Sequence, residues 1–230
     1  MLRTIRLTQA IRSLRSFQRS FITLPGTETQ SLTATRILPY SSKSLYTLIA
    51  DVNSYPSFLP YCQASKVTKW SSPDENGKQW PSEAELKIGW GGIEEIFTSK
   101  VFCVPGSIVE ALAGEAVTSL PISSLKHHKS TYDTPAIGNN IFQSLYTRWS
   151  VKPFHYKPPN GQPQTDMTEH DAREQTEVHL SLDFRFANPI YGTLSKAVAP
   201  KVAVIMIEAF EIRARKLLDR PGALTAEKIH

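Results

Sequence analysis

The 230 residues of the chain, of which 40% are hydrophobic and 20% charged, are enough for one folded domain with a sizeable core. No run of eighteen apolar residues predicts a membrane-spanning helix, and the two cysteines, Cys62 and Cys103, form neither a metal-ligand spacing nor a disulfide framework. The formal net charge of +5 would ordinarily suggest nucleic acid or an anionic membrane as partner, but five arginines before residue 24 equal that excess. The rest of the chain is close to neutral, and we expect no nucleic-acid partner.

Residues 1–24 have the composition of a mitochondrial transit peptide. Hydroxyl and apolar residues separate the arginines, and the first acidic residue is Glu28. Between residues 11 and 21, the apolar residues and the arginines fall on opposite sides of a helical wheel. A disordered basic tail is the alternative interpretation. We divide the rest into a linker at 25–31, one domain at 32–220 and a tail at 221–230.

The first predicted elements are a strand at 32–38 and a short helix. Ser41 and Ser42 precede apolar residues at helical spacing, so we expect a capped helix that ends near Asn53. The next segment, YPSFLPYC at 55–62, contains two prolines, which forbid a long helix, and four large side chains. We call residues 55–62 the apolar bracket. Ordinary core packing where a helix turns into a strand is the alternative.

Further strands are predicted at 64–70, 83–88 and 93–102, and the last two are joined by the turn GWGG at 89–92. The glycines of this turn permit positive φ angles. Trp90 stands at its tip, where the ring would fold back onto the sheet or enter the headgroup region of a membrane.

Two stretches without sustained periodicity, 114–140 and 153–175, separate the remaining strands at 108–112, 142–151 and 178–186, and both are predicted to be exposed loops. His127 and His128 in the first loop would point to opposite sides of an extended chain, which makes a poor metal site. We expect no bound metal. Strict alternation at 178–186 places His179 on the polar face, where we expect a solvated residue.

The C-terminal stretch 188–218 predicts one long amphipathic helix of about 45 Å. Asn188 suits the N-cap and Pro189 the first helical position, whereas Pro200 removes a backbone hydrogen bond and predicts a bend. A second apolar strip, of Val204, Ile207 and Phe210, lies off the main stripe. That main stripe, which is expected to cover the sheet, consists of Tyr191, Leu194, Val198, Val202, Ile205, Ala209 and Ile212.

Runs of strands flanked by helices predict an α+β fold with an antiparallel sheet of about six to seven strands. A curved sheet that faces one long helix closes into a filled core or leaves a cavity between the two layers. Aromatic residues at inward positions, such as Phe97, Trp149 and Phe184, suit both outcomes.

This order of elements resembles the START-like (polyketide cyclase/dehydrase) superfamily, whose helix-grip or Bet v 1-like fold wraps a curved antiparallel sheet around a long C-terminal helix. Over most of residues 32–218, outside the two loops, the chain closely resembles the mitochondrial coenzyme Q-binding proteins. Bacterial relatives described as toxins that block ribosome association share the apolar bracket. The resemblance rests on ADV at 50–52, the apolar bracket, residues 93–101, FRFANP at 184–189, Met206, AFE at 209–211 and RA at 213–214.

The resemblance implies a protein that binds ubiquinone in an apolar cavity and acts as its carrier or chaperone, in support of respiratory electron transport and coenzyme Q biosynthesis. It implies a location on the matrix side of the mitochondrial inner membrane, with peripheral membrane contact. Coenzyme Q biosynthetic or respiratory complexes are the expected partners, and no cofactor is expected apart from ubiquinone as a bound ligand.

Candidate site residues follow from these expectations. Pro200 is the candidate hinge of the C-terminal helix. Candidates for membrane contact are Trp90, Val204, Ile207 and Phe210. Candidates for the cavity lining are Phe58, Leu59, Phe97, Trp149, Phe184, Phe186, Tyr191, Val198, Val202 and Ile205.

Two other functions compete with the carrier. A cyclase-type enzyme acting on a hydrophobic substrate would need titratable groups placed together in a pocket. Binding to the mitochondrial ribosome would need clustered lysine and arginine, which the near-neutral chain lacks. No Ser-His-Asp order or phosphate loop occurs, and we predict no catalysis. The available carboxylates are expected to be solvated, and they are Asp51, Glu83, Glu85, Glu94 and Glu95.

Overall fold

The computed structural model describes residues 28–134, 137–138, 140–154, 174–195 and 199–219. The predicted transit peptide at 1–24, most of the loop at 153–175 and the tail at 221–230 lie outside the described residues. The predictions made for those segments stay predictions.

The predicted antiparallel sheet is confirmed, and among the described residues it has seven strands. They are β1 (Gln30–Leu38), β2 (Cys62–Trp70), β3 (Pro81–Trp90), β4 (Ile93–Val104), β5 (Ile108–Gly114), β6 (Phe142–Phe154) and β7 (Gln175–Phe186). The order in the sheet is β1-β7-β6-β5-β4-β3-β2, so β1 returns to pair with β7 and every other neighbouring pair is consecutive in the chain.

Alternation of apolar and polar residues decides which side of the sheet is covered. In β7 every second residue is buried, from Thr176 to Phe186, as the sequence pattern predicts. His179 lies on the opposite face and is half-buried, with Nδ1 2.8 Å from the hydroxyl of Thr35. At the predicted hairpin between β3 and β4, Gly91 and Gly92 have φ angles of 58° and 83°, which favour glycine.

The described part of the chain forms four α-helices, which are α1 (Ser42–Ala50), α2 (Lys129–Tyr132), α3 (Pro189–Ser195) and α4 (Val202–Leu218). The Ser41 side chain accepts a hydrogen bond from the Ser44 N–H at 3.2 Å and caps α1, as predicted. α1 ends at Ala50, before Asn53, because a 3-10 helix, Val52–Ser57, follows and contains Pro56. The apolar bracket begins within this 3-10 helix.

The predicted bend at Pro200 is confirmed, but it divides the C-terminal stretch into two helices in place of one long helix. α3 and the segment Ala199–Leu218 are bent by 61° relative to each other. Pro200 lies in a 3-10 turn, Ala199–Lys201, directly before α4. Because proline cannot donate a backbone hydrogen bond and its ring clashes with the preceding turn, a helix bends or ends where it meets Pro200. Among the described helices, none alone is long and apolar enough to cross a membrane, and only the bent pair taken together meets that requirement.

The buried face of α4 also differs from the predicted stripe. Ile207 and Phe210 are 0% and 1% exposed, whereas Ile212, which was assigned to the stripe, is 67% exposed. The buried residues Gly192, Ser195, Ala199, Ala203 and Ile207 follow one another at helical spacing, about one position after the predicted stripe. The stripe was misplaced because the small residues on the buried side give little hydrophobic signal. The expectation that Ile207 and Phe210 contact a membrane is therefore wrong. The buried face consists of Ala203, Ile207, Phe210 and Ala214.

The insertion at 114–140 was predicted to be an exposed loop, and the structure corrects this prediction. It forms two short 3-10 helices, Ile122–Ser124 and Lys126–His128, followed by α2. Leu120 and Leu125 are buried in a second hydrophobic cluster with Phe102 and Leu112. The insertion therefore covers part of the sheet, and its two buried leucines are too far apart to produce a periodic sequence signal.

Candidate functional site

A cavity lies between the sheet and the helical side of the fold. Its volume is about 210 Å³, and it is partly open to solvent. Its walls come from the apolar bracket, from inward residues of β3 to β7, and from Ser195, Ala199, Val202 and Met206. Of the two outcomes that the sequence left open, the cavity is the one that the structure contains.

Six of the ten predicted lining residues border the cavity, namely Leu59, Phe97, Trp149, Phe184, Phe186 and Val202. Val198 lies outside the described residues. Phe58, Tyr191 and Ile205 are not in the lining. The Phe58 ring packs against Tyr55 instead, and the Tyr191 hydroxyl donates to Glu95. Ile205 is only partly buried, because the predicted stripe lies about one position away from the buried face of α4.

An aromatic cluster forms one end of the cavity. The ring centroid of Phe142 is 5.2 Å from that of Phe97 and 5.3 Å from that of Phe186. Trp149 contacts the buried Phe210 of α4 at 5.3 Å. Edge-to-face and offset contacts at these distances hold the rings in place. Alternation counted from Leu145 and Trp149 would place Phe142 on the opposite face of β6, and a register shift between Phe142 and Ser144 brings it inward, so the sequence pattern did not predict it.

Polar groups in the lining are few, and most are used by the fold itself. The Tyr55 hydroxyl donates to the Ile49 carbonyl at 2.7 Å, and burial raises its pKa. The Ser195 hydroxyl donates to the Gly192 carbonyl at 3.2 Å. Burial raises the pKa of Cys62 to about 11, so this thiol is protonated at neutral pH and is a poor nucleophile. Ser99 and Thr147, which the sequence analysis did not single out, also border the cavity.

The carboxylates that an enzyme could use lie outside the lining. Glu83 pairs with Lys69 at 2.8 Å, and Glu94 pairs with Lys87 at 2.7 Å. The hydrogen bond from Lys87 is the main reason that the pKa of Glu94 is lowered. Within the described ranges, no three histidine, cysteine or carboxylate side chains are grouped to hold a metal ion. The arrangement is therefore suited to enclosing an apolar molecule, and no carboxylate or histidine of the described residues lines it.

The two adjacent histidines have a structural role at the end of β4. They lie in a 3-10 helix, so their rings are only 4.4 Å apart and do not point to opposite sides as predicted. The Cys103 N–H donates to Nε2 of the buried His128, and Nε2 of His127 donates to the Cys103 carbonyl, both at 3.0 Å. β4 extends here beyond the last residue that pairs with β3, Lys100. The two histidines thus form hydrogen bonds with the N–H and the carbonyl of Cys103, which a strand edge would leave unpaired.

The rim of the cavity lies beside Tyr61, the most exposed lining residue, at 36%. Tyr61 has a φ of 65°, in the left-handed region that residues other than glycine rarely adopt. Among the membrane-contact candidates, Val204 is 41% exposed, and the Trp90 side chain is outside the described set. On α3, Ile190 is 62% and Leu194 54% exposed.

Comparisons with known proteins agree with this architecture. Residues 38–211 match a family described as polyketide cyclase / dehydrase and lipid transport. The mitochondrial coenzyme Q-binding protein coq10 of Schizosaccharomyces pombe is 31% identical over 182 residues, which cover 79% of this chain and 85% of that protein. The ribosome association toxin RatA of Pseudomonas aeruginosa is 25% identical over 181 residues, which cover 79% of this chain and 92% of that protein.

A solved structure of a START superfamily protein from Mycobacterium smegmatis has a TM-score of 0.54 at 15% identity, and the match covers 81% of this chain and 98% of that one. This likeness confirms the predicted START-like fold. The family match spans more than half of the chain, and the Schizosaccharomyces pombe relative is similar over most of its length. The chain therefore belongs to the polyketide cyclase/dehydrase and lipid transport family.

Proposed function

We propose that the protein binds ubiquinone in the cavity between its sheet and its helices and carries this lipid through water. The observation that carries the proposal is the lining, which is almost wholly apolar. Each methylene of an isoprenoid tail costs roughly 0.8 kcal/mol when it is exposed to water, so the quinone does not leave a bilayer unaided. The 31% identity to a protein named for coenzyme Q binding supports the choice of ligand.

The size of the cavity limits how much of the ligand is enclosed. A volume of about 210 Å³ is below the usual range for sites that bury a drug-sized ligand. We infer that the ring and the start of the tail are held inside, while a long tail leaves at the rim beside Tyr61. Pro200 is the proposed hinge, because it lies in the turn between α3 and α4, whose movement would widen this space.

The proposed location is the matrix side of the mitochondrial inner membrane. Its support is the basic composition of residues 1–24 and the mitochondrial relative. Peripheral membrane contact is proposed through α3, where Ile190 and Leu194 are exposed, with Trp90 and Val204 as further candidates. Respiratory or coenzyme Q biosynthetic complexes are the proposed recipients of the quinone.

The proposed role is binding without catalysis, and it involves no cofactor apart from ubiquinone as ligand. Among the described residues, no carboxylate or histidine borders the cavity, whereas a cyclase-type reaction would need acid-base groups there. The relative named as a ribosome association toxin lends some weight to ribosome binding, but an apolar cavity has no use in that role.

Trp149 provides the test of ubiquinone binding. Because its indole borders the cavity, a ring bound there is expected to quench its fluorescence. Titration of the protein with a short-tailed ubiquinone should give saturable quenching, and Trp149→Phe should lose most of that amplitude while the three other tryptophans remain. Quenching that does not saturate, or that is equal in both proteins, would contradict binding in this cavity.

A further inference from the structure

Apart from the hydroxyl of Tyr61 at the exposed rim, the described lining contains two hydroxyl groups that the fold itself does not use. Ser99 is 1% exposed and Thr147 is half-buried, and both border the cavity. Neither side chain makes a hydrogen bond to any described residue, whereas the hydroxyls of Tyr55 and Ser195 are already bonded to backbone carbonyls. A buried donor without an acceptor destabilises a fold, so the two hydroxyls are suited to an acceptor that comes with the ligand.

The register of the sheet sets the distance between these hydroxyls. Val101, Ala111 and Thr147 form one row across β4, β5 and β6, and Ser99 precedes Val101 by two residues on β4. Two strand spacings of about 4.8 Å and one two-residue step of about 6.7 Å place the Cα atoms of Ser99 and Thr147 about 12 Å apart. A six-membered ring with a carbonyl at each end, and a hydrogen bond of about 2.8 Å at each carbonyl, spans a comparable distance.

Small side chains leave room for such a ring between the two hydroxyls. On β5, Ala111 borders the cavity and stands next to Thr147, while Ala84 is the neighbour of Ser99 on β3. Larger side chains flank the space along the strands, because Phe97 and Trp149 each lie two residues from a hydroxyl and border the cavity. The result is a flat apolar floor with a donor at each end and an aromatic residue beside each donor.

We propose that Ser99 and Thr147 donate hydrogen bonds to the two opposite carbonyl oxygens of the quinone ring, which lies over Ala111. This inference rests on the proposed function and adds the position of the ring to it. A 1,4-quinone has acceptors at both ends and no donor, which matches two hydroxyls that lack acceptors. The isoprenoid tail has no polar atom, so only the ring is recognised by these two residues.

The test compares two ligands on matched variants. Ser99→Ala and Thr147→Val each remove one hydroxyl with little change of volume, and the control Ser150→Ala removes a hydroxyl of β6 that is outside the cavity lining. The probes are a short-tailed ubiquinone and a linear isoprenoid hydrocarbon of the same tail length. We expect Ser99→Ala and Thr147→Val each to weaken ubiquinone binding by about fivefold to tenfold. Their binding of the hydrocarbon, and ubiquinone binding by Ser150→Ala, should stay within about twofold of the unaltered protein.

Infrared spectra of bound ubiquinone provide a readout that general damage to the cavity would not move. In the unaltered protein both carbonyl stretching bands should be shifted to lower frequency by hydrogen bonds, and each single variant should return one band toward its position in an apolar solvent. Equal losses for both ligands, or unchanged carbonyl bands, would overturn the inference while ubiquinone binding stands. Failure of the unaltered protein to bind ubiquinone at all would overturn the proposed function, and this inference with it.

Discussion

His128 is a buried side chain whose chemistry stabilises the fold and is not part of the cavity. Nε2 accepts the Cys103 N–H, so the neutral ring carries its proton on Nδ1, which has no hydrogen-bond partner among the described residues. Burial, together with the neighbouring His127, lowers the pKa of His128 from 6.5 to about 3. A second proton would fall on Nε2 and break the bond to Cys103.

This pKa predicts how stability changes with pH. Between about pH 6.5 and pH 3 the unfolded chain binds a proton at residue 128 that the folded chain does not, so the folded state loses stability as the pH falls through this window. The loss approaches about 1.4 kcal/mol per pH unit, and above pH 7 this contribution is constant. His128→Gln keeps an acceptor for the Cys103 N–H and should have a smaller slope of unfolding free energy against pH in urea titrations. Equal slopes in the two proteins would contradict this account.

α4 is attached to the rest of the fold by an apolar face on one side and by ion pairs on the other. Its buried face meets the cavity wall through Phe210, which contacts Trp149, and its outer side is tied to β1 by Arg36, which lies 3.2 Å from Glu208 and 3.4 Å from Glu211. These surface ion pairs contribute little, about 0 to 1 kcal/mol each. The apolar face therefore provides most of the attachment of α4 to the sheet.

The burial of α4 predicts a sharp contrast between two of its residues. Phe210→Ala should lower the free energy of unfolding by about 3–5 kcal/mol, because it leaves a hole beside Trp149. Ile212→Ala, on the exposed side, should change it by less than about 0.5 kcal/mol. Urea unfolding followed by circular dichroism measures both values. Similar costs for the two variants would mean that the buried face is assigned wrongly.

The exposed face of α3 predicts where a membrane is met. Replacing Ile190 and Leu194 together by glutamate should reduce flotation with vesicles that contain anionic lipid, because both residues are more than half exposed and the charges oppose insertion. Ile212→Glu is the matched control, since Ile212 is equally exposed but lies on α4. Loss of flotation in the control alone, or in neither variant, would contradict contact through α3.

At the scale of the whole molecule, local sequence patterns predict some elements of the fold and miss others. Strict alternation in β7 and the glycines at 89–92 are local signals, and both correctly predicted their elements. The buried face of α3 and α4 includes Gly192, Ser195 and Ala203, whose small side chains give little hydrophobic signal. Likewise, the burial of Leu120 and Leu125 depends on long-range contacts of an aperiodic segment.

The candidate site was predictable in part for the same reason. Residues on regular strands, such as Phe97, Trp149 and Phe184, were correctly placed because alternation fixes their side of the sheet. Tyr191 and Ile205 were misplaced because the predicted stripe lies about one position away from the buried face of α3 and α4. Ser99 and Thr147 are inward residues of regular strands, but small polar side chains give no hydrophobic signal. Ser99 and Thr147 are recognised as possible ligand contacts only because they border the cavity.

If the cavity holds ubiquinone, the protein should retain this lipid through purification, and its lipid content can be measured. Residues 25–230 would be purified from a host that makes ubiquinone, extracted with organic solvent and examined by mass spectrometry. We expect close to one molecule of ubiquinone per molecule of protein. The variant Ala111→Leu should retain much less ubiquinone, because the larger side chain fills the floor of the cavity. A folded protein whose extract contains no quinone would contradict the account. If that protein co-sediments with ribosomes, the result favours ribosome binding. If it does not co-sediment, the result favours a cyclase-type enzyme acting on a hydrophobic substrate.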